Sequence, residues 1–363
     1  MKKFWLIISC WLILLTGTIF WTISRYPTFA PTFPYHQTVA HLPRPLSILG
    51  NFDGVNYLRL STHGYPSRGG EVAFFPFYSI LIRGLTNLGI EPLYGALLIT
   101  FSCLLLFFIF LRQFYPSASS KLLWLYLSFP ASFFLLSAYT ESLFLLLFIS
   151  FMISLKAQKW WLAAIIAGSA SGTRLVGAIF GVMLLVEYFR FYHKLSFRFF
   201  LLAILSELGL LAYMYYLYQN FGDPLAFIHA QPQFGMGRSG GEIILLPQVL
   251  YRYGRMLLTV DIASLLYWRV LWELLTFLFF LFALIKYWFK LTLIDRLYST
   301  WVILLPTLSG TLSSFPRYAL VAIPLFIVLT RELPPWVFNL LVILQALLLI
   351  ASLSLFTRGL FVA

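Results

Sequence analysis

Charge is what this chain lacks. Asp, Glu, Lys and Arg make up 10% of its 363 residues, and most of them stand between long apolar blocks. A soluble domain of this length cannot keep its surface hydrated on so few charges, whereas a chain that crosses lipid needs little else. Hydrophobic residues reach 61% and the mean hydropathy is +0.89. Aromatics at 19%, with 38 Phe, suit lipid-facing and interfacial surfaces. Inside hydrocarbon the backbone must satisfy its own polar groups, so uninterrupted apolar runs of this length read as helices. The expected fold class is an all-α polytopic membrane protein, one integral domain over residues 1–363.

The first run follows Met1-Lys2-Lys3 and continues to about Ile23. A basic start before an apolar run resembles a signal peptide, but this one is long enough to span, and Ser24-Arg25-Tyr26-Pro27 offers no small-x-small cleavage site. It is expected to stay as a first helix with Lys2 and Lys3 in the cytoplasm. Further spans are expected at Leu93–Leu111, Leu122–Ser137, Tyr139–Leu155, Trp160–Thr173, Leu175–Phe189, Phe199–Tyr218, Ala263–Ile285, Tyr298–Leu312, Tyr318–Thr330 and Trp336–Phe356, about 11 in all. Phe74 to Leu88, broken by Pro76 and Arg83, reads as a re-entrant or interfacial helix. Arg112 and Lys121, Lys156 and Lys159, Arg190 with Lys194 and Arg198, Lys286 with Lys290 and Arg296, and Arg331 then share the side of Lys2 and Lys3, as the positive-inside rule requires. Residues 24–92 and 219–261 become the two long non-cytoplasmic loops.

The excess of cations, a formal net charge of +13, extends into those loops and suits an anionic substrate or lipid headgroup. The first loop holds the stretch NFDGVNYLRLSTHGYPSRGGEVAFFPFY, from Asn51 to Tyr78. It carries Asp53 and Glu71 in a chain with only 12 acids. Asp53 reads either as the N-cap of a short amphipathic helix, with Val55, Leu58 and Leu60 inward and Gly64 closing it, or as a catalytic base facing a membrane-embedded cleft. The same side of the membrane receives Tyr139, Thr140 and Glu141 from a short turn, and Arg174 from Ser169-Ala-Ser-Gly-Thr173-Arg. It also receives Arg317 from Ser313-Ser-Phe-Pro-Arg-Tyr318, and the second loop with Asp223, His229, Arg238, Glu242, Arg252 and Arg255. Ionisable residues gathered at one membrane face are functional candidates. The alternatives are local: Glu141 as a helix cap, Arg174 as a snorkelling side chain, Arg317 as an interfacial anchor.

Several classes drop out. Cys10 and Cys103 both sit in apolar runs and suggest neither a disulfide framework nor a metal cluster. The five His include His36 and His41 but no metal-ligand spacing, so no metal site is expected. No Gly-rich phosphate loop or nucleotide fingerprint occurs, which argues against a nucleotide co-substrate and leaves nucleic acid off the list of partners.

Five pieces in order, NFDGVNYLRLSTHGY, EVAFFPFY, FPASFFLLSAYTESLFLLL, SGTRLVGA and SSFPRYALVAIPLF, are spread over most of the chain, between residues 51 and 326. Together they resemble the PIG-V-like glycosyltransferases of the GT-C superfamily, whose eukaryotic members add a mannose in GPI-anchor synthesis. Phe52 stands where that family commonly has Trp, and the chain is shorter than the eukaryotic members, which points to a prokaryotic relative with a different acceptor. The resemblance implies transfer of a sugar, mannose first among the options, from a polyprenyl-phosphate donor to a hydroxyl of a lipid-linked, glycan or protein acceptor. The transfer inverts the sugar and takes place on the non-cytoplasmic face. It implies Asp53 as base with Glu71 as its nearest substitute, and Arg174 and Arg317 on the departing phosphate with Arg59 and Arg68 behind them. Glu71 and Glu141 would orient the acceptor or hold the arginines, and Tyr139 and Tyr318 complete the substrate-binding set. No cofactor is called for, with a divalent metal left open. Membrane lipids are expected partners, in a prokaryotic plasma membrane, or in the endoplasmic reticulum of a eukaryote. Two rivals stay open. A transporter or flippase of a lipid-linked anion would also line a cavity with polar residues, though no internal repeat or paired broken helices are visible. A polymerase or ligase acting on lipid-linked oligosaccharides shares the chemistry.

Overall fold

A computed structural model of the chain describes residues 2–27, 39, 41–66, 69–115 and 120–362. Among them all regular structure is helical. The first half contributes α1 (Lys2–Arg25), α2 (Arg44–Ser47), α3 (Asp53–His63), α4 (Pro76–Thr86), α5 (Pro92–Phe114), α6 (Ser120–Leu127), α7 (Glu141–Lys156), α8 (Trp160–Ser171) and α9 (Ile179–Tyr192). The second half contributes α10 (Phe197–Ser206), α11 (Leu208–Phe221), α12 (Ala226–His229), α13 (Leu246–Thr259), α14 (Leu265–Lys286), α15 (Leu293–Leu304), α16 (Phe315–Ala319), α17 (Ile323–Glu332) and α18 (Pro335–Thr357).

Five segments among the described residues are long and apolar enough to cross a membrane: α1, α5, Leu175–Tyr192, α14 and α18. A sixth arises if α10 and α11, bent by 59° at their junction, count as one broken span. Large apolar side chains stay exposed along these helices, among them Ile13 and Trp21 on α1 and Trp336, Ile343 and Leu347 on α18. That is the surface a helix presents to lipid.

The other expected spans take different forms, and proline accounts for several of them. Leu122–Ser137 is α6 followed, after Pro130, by a 3-10 turn at Ser132–Leu136. Tyr298–Leu312 is α15 running into a 3-10 turn at Leu305–Ser309 that contains Pro306. Tyr318–Thr330 is split between α16 and α17, with Pro324 in the first turn of the latter. A proline lacks the amide that would continue the helix, so a new helix starts at it instead. The Phe74–Leu88 segment becomes α4, which opens on Pro76 and at 11 residues is roughly half the length that crosses ~30 Å of hydrocarbon.

Two packing arrangements position the polar face. α3 buries Val55, Leu58 and Leu60 and ends at Gly64 with φ 75°, as its apolar spacing predicts. Val72 and Phe75 of the EVAFFPFY stretch pack with Tyr213, Leu217 and Phe227 of α11 and α12, and the Tyr213 hydroxyl donates to Val72 O at 2.6 Å. Behind this, glycines let α8 and α11 touch backbone to backbone. A Cβ on Gly209 would overlap the Gly168 carbonyl oxygen and lie 2.7 Å from Gly172 Cα. Gly209→Ala should therefore lower stability by roughly 1–3 kcal/mol through overpacking. Gly84→Ala, with nothing within 4 Å of its Cβ, should be neutral or slightly stabilising. Thermal unfolding of the two purified variants checks both; equal melting temperatures would contradict the packing argument.

Candidate active site

Four charged side chains meet although the sequence scatters them. Asp53 is the first helical residue of α3 and follows Phe52, whose φ of 56° is a strained value for an aromatic residue. The ring of Phe52 is wedged against Phe356 and Phe361. Glu141 opens α7. The turn before it is tied down by Ala138 N–H, which donates to Leu49 O at 2.8 Å, and by the Tyr139 hydroxyl, which donates to Asn51 O at 2.8 Å. Arg174 lies in extended backbone after α8. Arg317 rides on α16, whose N-cap residue Ser314 has φ 66°.

The pairs form a chain. Arg317 Nη1 donates to Asp53 Oδ2 at 2.6 Å, a contact 264 residues apart in sequence. Arg317 Nε lies 3.3 Å from Glu141 Oε1, and Arg174 Nη1 donates to that same oxygen at 2.9 Å. Exposure of the side chains is 22% for Asp53, 9% for Arg317, 10% for Arg174 and 1% for Glu141. Asp53 and Glu141, both ion-paired with it, offset the burial of the Arg317 guanidinium. Tyr139 and Tyr318 add aromatic faces, with the Arg317 guanidinium 5.2 and 5.7 Å from their ring centroids and Arg174 5.4 Å from that of Tyr318.

The local alternatives for these residues are settled by this geometry. Asp53 is not the N-cap of α3: Phe52 holds that position without a side-chain cap bond, and the Asp53 carboxylate is turned to Arg317. The bond to the guanidinium is short and charge-assisted, and it is made from one residue inside the helix, past the N-cap position. Glu141 does sit in the first turn of α7, where the helix dipole favours it, but its Oε1 is engaged by two arginines. Arg174 and Arg317 are too buried to be snorkelling or surface anchors.

Asp53, Tyr139, Glu141, Arg174, Arg317 and Tyr318 all line one cavity of ≈ 690 Å³. Its lining also includes the apolar residues Val302, Leu305, Pro306 and Leu308. The two other predicted residues within the described set are elsewhere: Arg59 Nη1 pairs with Glu71 Oε1 at 3.4 Å, and neither lines this cavity. Arg68 and His36 lie outside the described residues.

Two residues on the cavity side had no place in the sequence expectations. Arg269 lines the cavity, and Glu273, one turn on along α14, is fully buried behind it. Glu273 Oε2 accepts from the Tyr253 hydroxyl at 2.6 Å and Oε1 from Ser314 N–H at 3.3 Å, while the Tyr253 hydroxyl accepts from Leu312 N–H at 3.0 Å. Glu273 thereby holds the left-handed turn that starts α16 and aims Arg317. The signal was available: an Arg and a Glu four apart inside an apolar helix share one face and mark a polar interior. Comparison of the chain with family models, with curated proteins and with solved structures yields no match.

Proposed function

We propose that this chain is a membrane glycosyltransferase, related to the PIG-V-like family, that moves a hexosyl group, mannose first among the options, from a polyprenyl-phosphate donor to an acceptor hydroxyl. The observation that carries this reading is a carboxylate, Asp53, oriented by a buried arginine on the wall of a cavity whose lining also includes apolar residues. Oδ2 is committed to Arg317, which leaves Oδ1 to take a proton. As the acceptor oxygen bonds to the anomeric carbon, the bond from that carbon to the phosphate oxygen breaks. The acceptor proton passes to Asp53, and the electron pair leaves with polyprenyl phosphate. Attack from the side opposite the leaving group inverts the anomeric centre. Base assistance of this kind contributes roughly 10²–10⁴ in rate. The donor is already activated, so no nucleotide-binding fold is needed.

In this reading the bilayer is crossed about 11 times, the shorter and broken helices included, within a prokaryotic plasma membrane. Asp53 and the 219–261 loop face outward. Single cysteines introduced into a chain cleared of Cys10 and Cys103 test the arrangement. Glu242→Cys should react with an impermeant reagent on intact cells, and Lys290→Cys should react only after lysis. Labelling of Lys290→Cys from outside would overturn it. The activity itself is tested by radiolabel transfer in membranes containing the chain, with polyprenyl-phosphate-mannose set against other polyprenyl-linked sugars. Transfer from one of them into a lipid or glycan fraction is expected; none from any would refute the reading.

A further inference from the structure

The sequence assigns the donor phosphate to Arg174 and Arg317 by resemblance, but charge balance in the cavity favours another pair. Arg174 and Arg317 face Asp53 and Glu141, two cations against two carboxylates, with every cation within 3.3 Å of an acid oxygen. A phosphate arriving there meets no net charge and two like charges. Arg238 and Arg269 also line the cavity and are differently provided for. Among the described residues Arg238 has no carboxylate within 4.0 Å; Nη1 donates to the Gln231 amide oxygen at 2.9 Å, and Nε is buried without a hydrogen-bond partner. Arg269 Nη2 donates to the Met236 thioether at 3.0 Å, a weak acceptor, and its Nε stands 3.9 Å from Glu273 without a hydrogen bond. Met236 is two residues before Arg238, so the two guanidiniums approach the same part of the wall.

Neither guanidinium hydrogen-bonds a carboxylate; the Nε of each lacks a partner, as does that of Arg317, whose Nη1 is by contrast held by Asp53. Glu242, on the same loop, is exposed at the rim. Arg269 lies four residues inside α14, about 6 Å along the helix from its start, in its first two turns. The apolar residues Val302, Leu305, Pro306 and Leu308 line the same cavity and suit an isoprenoid chain. The geometry points to Arg238 and Arg269 as the residues that hold the phosphate of a polyprenyl-phosphate lipid, while the Asp53 cluster handles the hydroxyl proton. This rests on the proposed sugar transfer and names the donor subsite within it.

The test uses the purified full chain and two probes, a polyprenyl phosphate and the matching polyprenol, with binding measured at equilibrium in detergent. The wild type should prefer the phosphate-bearing lipid. Arg238→Gln and Arg269→Gln should each weaken its binding by about 10- to 100-fold, the range for one charged hydrogen-bond donor, and leave polyprenol binding unchanged. Arg→Lys at either position should restore part of the loss, since Lys supplies the charge without the fork. Arg255→Gln, on the exposed face of α13 and off the cavity, removes the same charge and should change nothing. Polyprenol binding also reports that each variant is folded. Preference for phosphate retained in both Gln variants would overturn the assignment while leaving sugar transfer standing. A wild type that shows no such preference would overturn the sugar-transfer reading with it.

Discussion

Asp53→Asn should lower sugar transfer by two or more orders of magnitude, with the protein still inserted and folded. An amide keeps an oxygen for Arg317 and nearly the same shape, but cannot accept the acceptor's proton. Had Asp53 been a helix cap, Asn would have served equally well. The geometry removes that escape, because the carboxylate makes no cap bond and is directed at Arg317. Asp53→Glu should also be poor: one added methylene displaces the carboxylate by about 1 Å, and such misplacement costs about 10²-fold. Initial rates of transfer from a polyprenyl-phosphate sugar by wild type and both variants provide the check. Near-normal turnover by the Asn variant would move the base to Glu141, the remaining carboxylate of the cluster.

Arg317→Ala should be the more damaging change, since it touches both stability and activity. It leaves Asp53 without a cation and Glu141, 1% exposed, with Arg174 alone. Removing one partner from a buried ion pair typically costs about 3–5 kcal/mol, because the remaining charge stays desolvated. Transfer should fall at least as far as in Asp53→Asn, as the base is no longer oriented. Arg317→Lys should recover part of the stability and little of the activity: a single ammonium is a point charge and cannot serve Asp53 through Nη1 and Glu141 through Nε at once. Melting temperatures and transfer rates of the two variants measure this. An alanine variant as stable and active as the wild type would show the cluster to be incidental.

Composition and hydropathy were enough to show helices and lipid, and the shortage of acids was enough to mark Asp53 and Glu141. Both signals are local. The long spans α1, α5, α14 and α18 were legible for the same reason: each is an unbroken apolar run. What the sequence did not convey was pairing. Glu71 and Asp53 lie 18 positions apart in one loop, yet Glu71 goes to Arg59 while Asp53 goes to a residue near the other end of the chain. Ion-pair choice inside a bundle depends on how helices pack in three dimensions, and no period in the sequence encodes it. Pro306 and Pro324 break two of the expected spans, a local signal that averaged hydropathy does not carry. Arg269 and Glu273 were hidden because their helix averages strongly apolar; two polar residues on one face barely change that mean. The same averaging concealed how α16 is held, since the N–H of Ser314, which is in the left-handed conformation, donates to the Glu273 carboxylate.

The most direct test of the central claim is a single turnover of the purified chain in lipid vesicles, with a radiolabelled polyprenyl-phosphate sugar as donor and an acceptor alcohol supplied outside. The account predicts that the label leaves the polyprenyl phosphate and appears on the acceptor with inverted anomeric configuration, and that Asp53→Asn leaves it on the donor. Label that crosses the bilayer while still attached to its lipid, with no transfer by the wild type, would contradict the account and make the chain a lipid transporter.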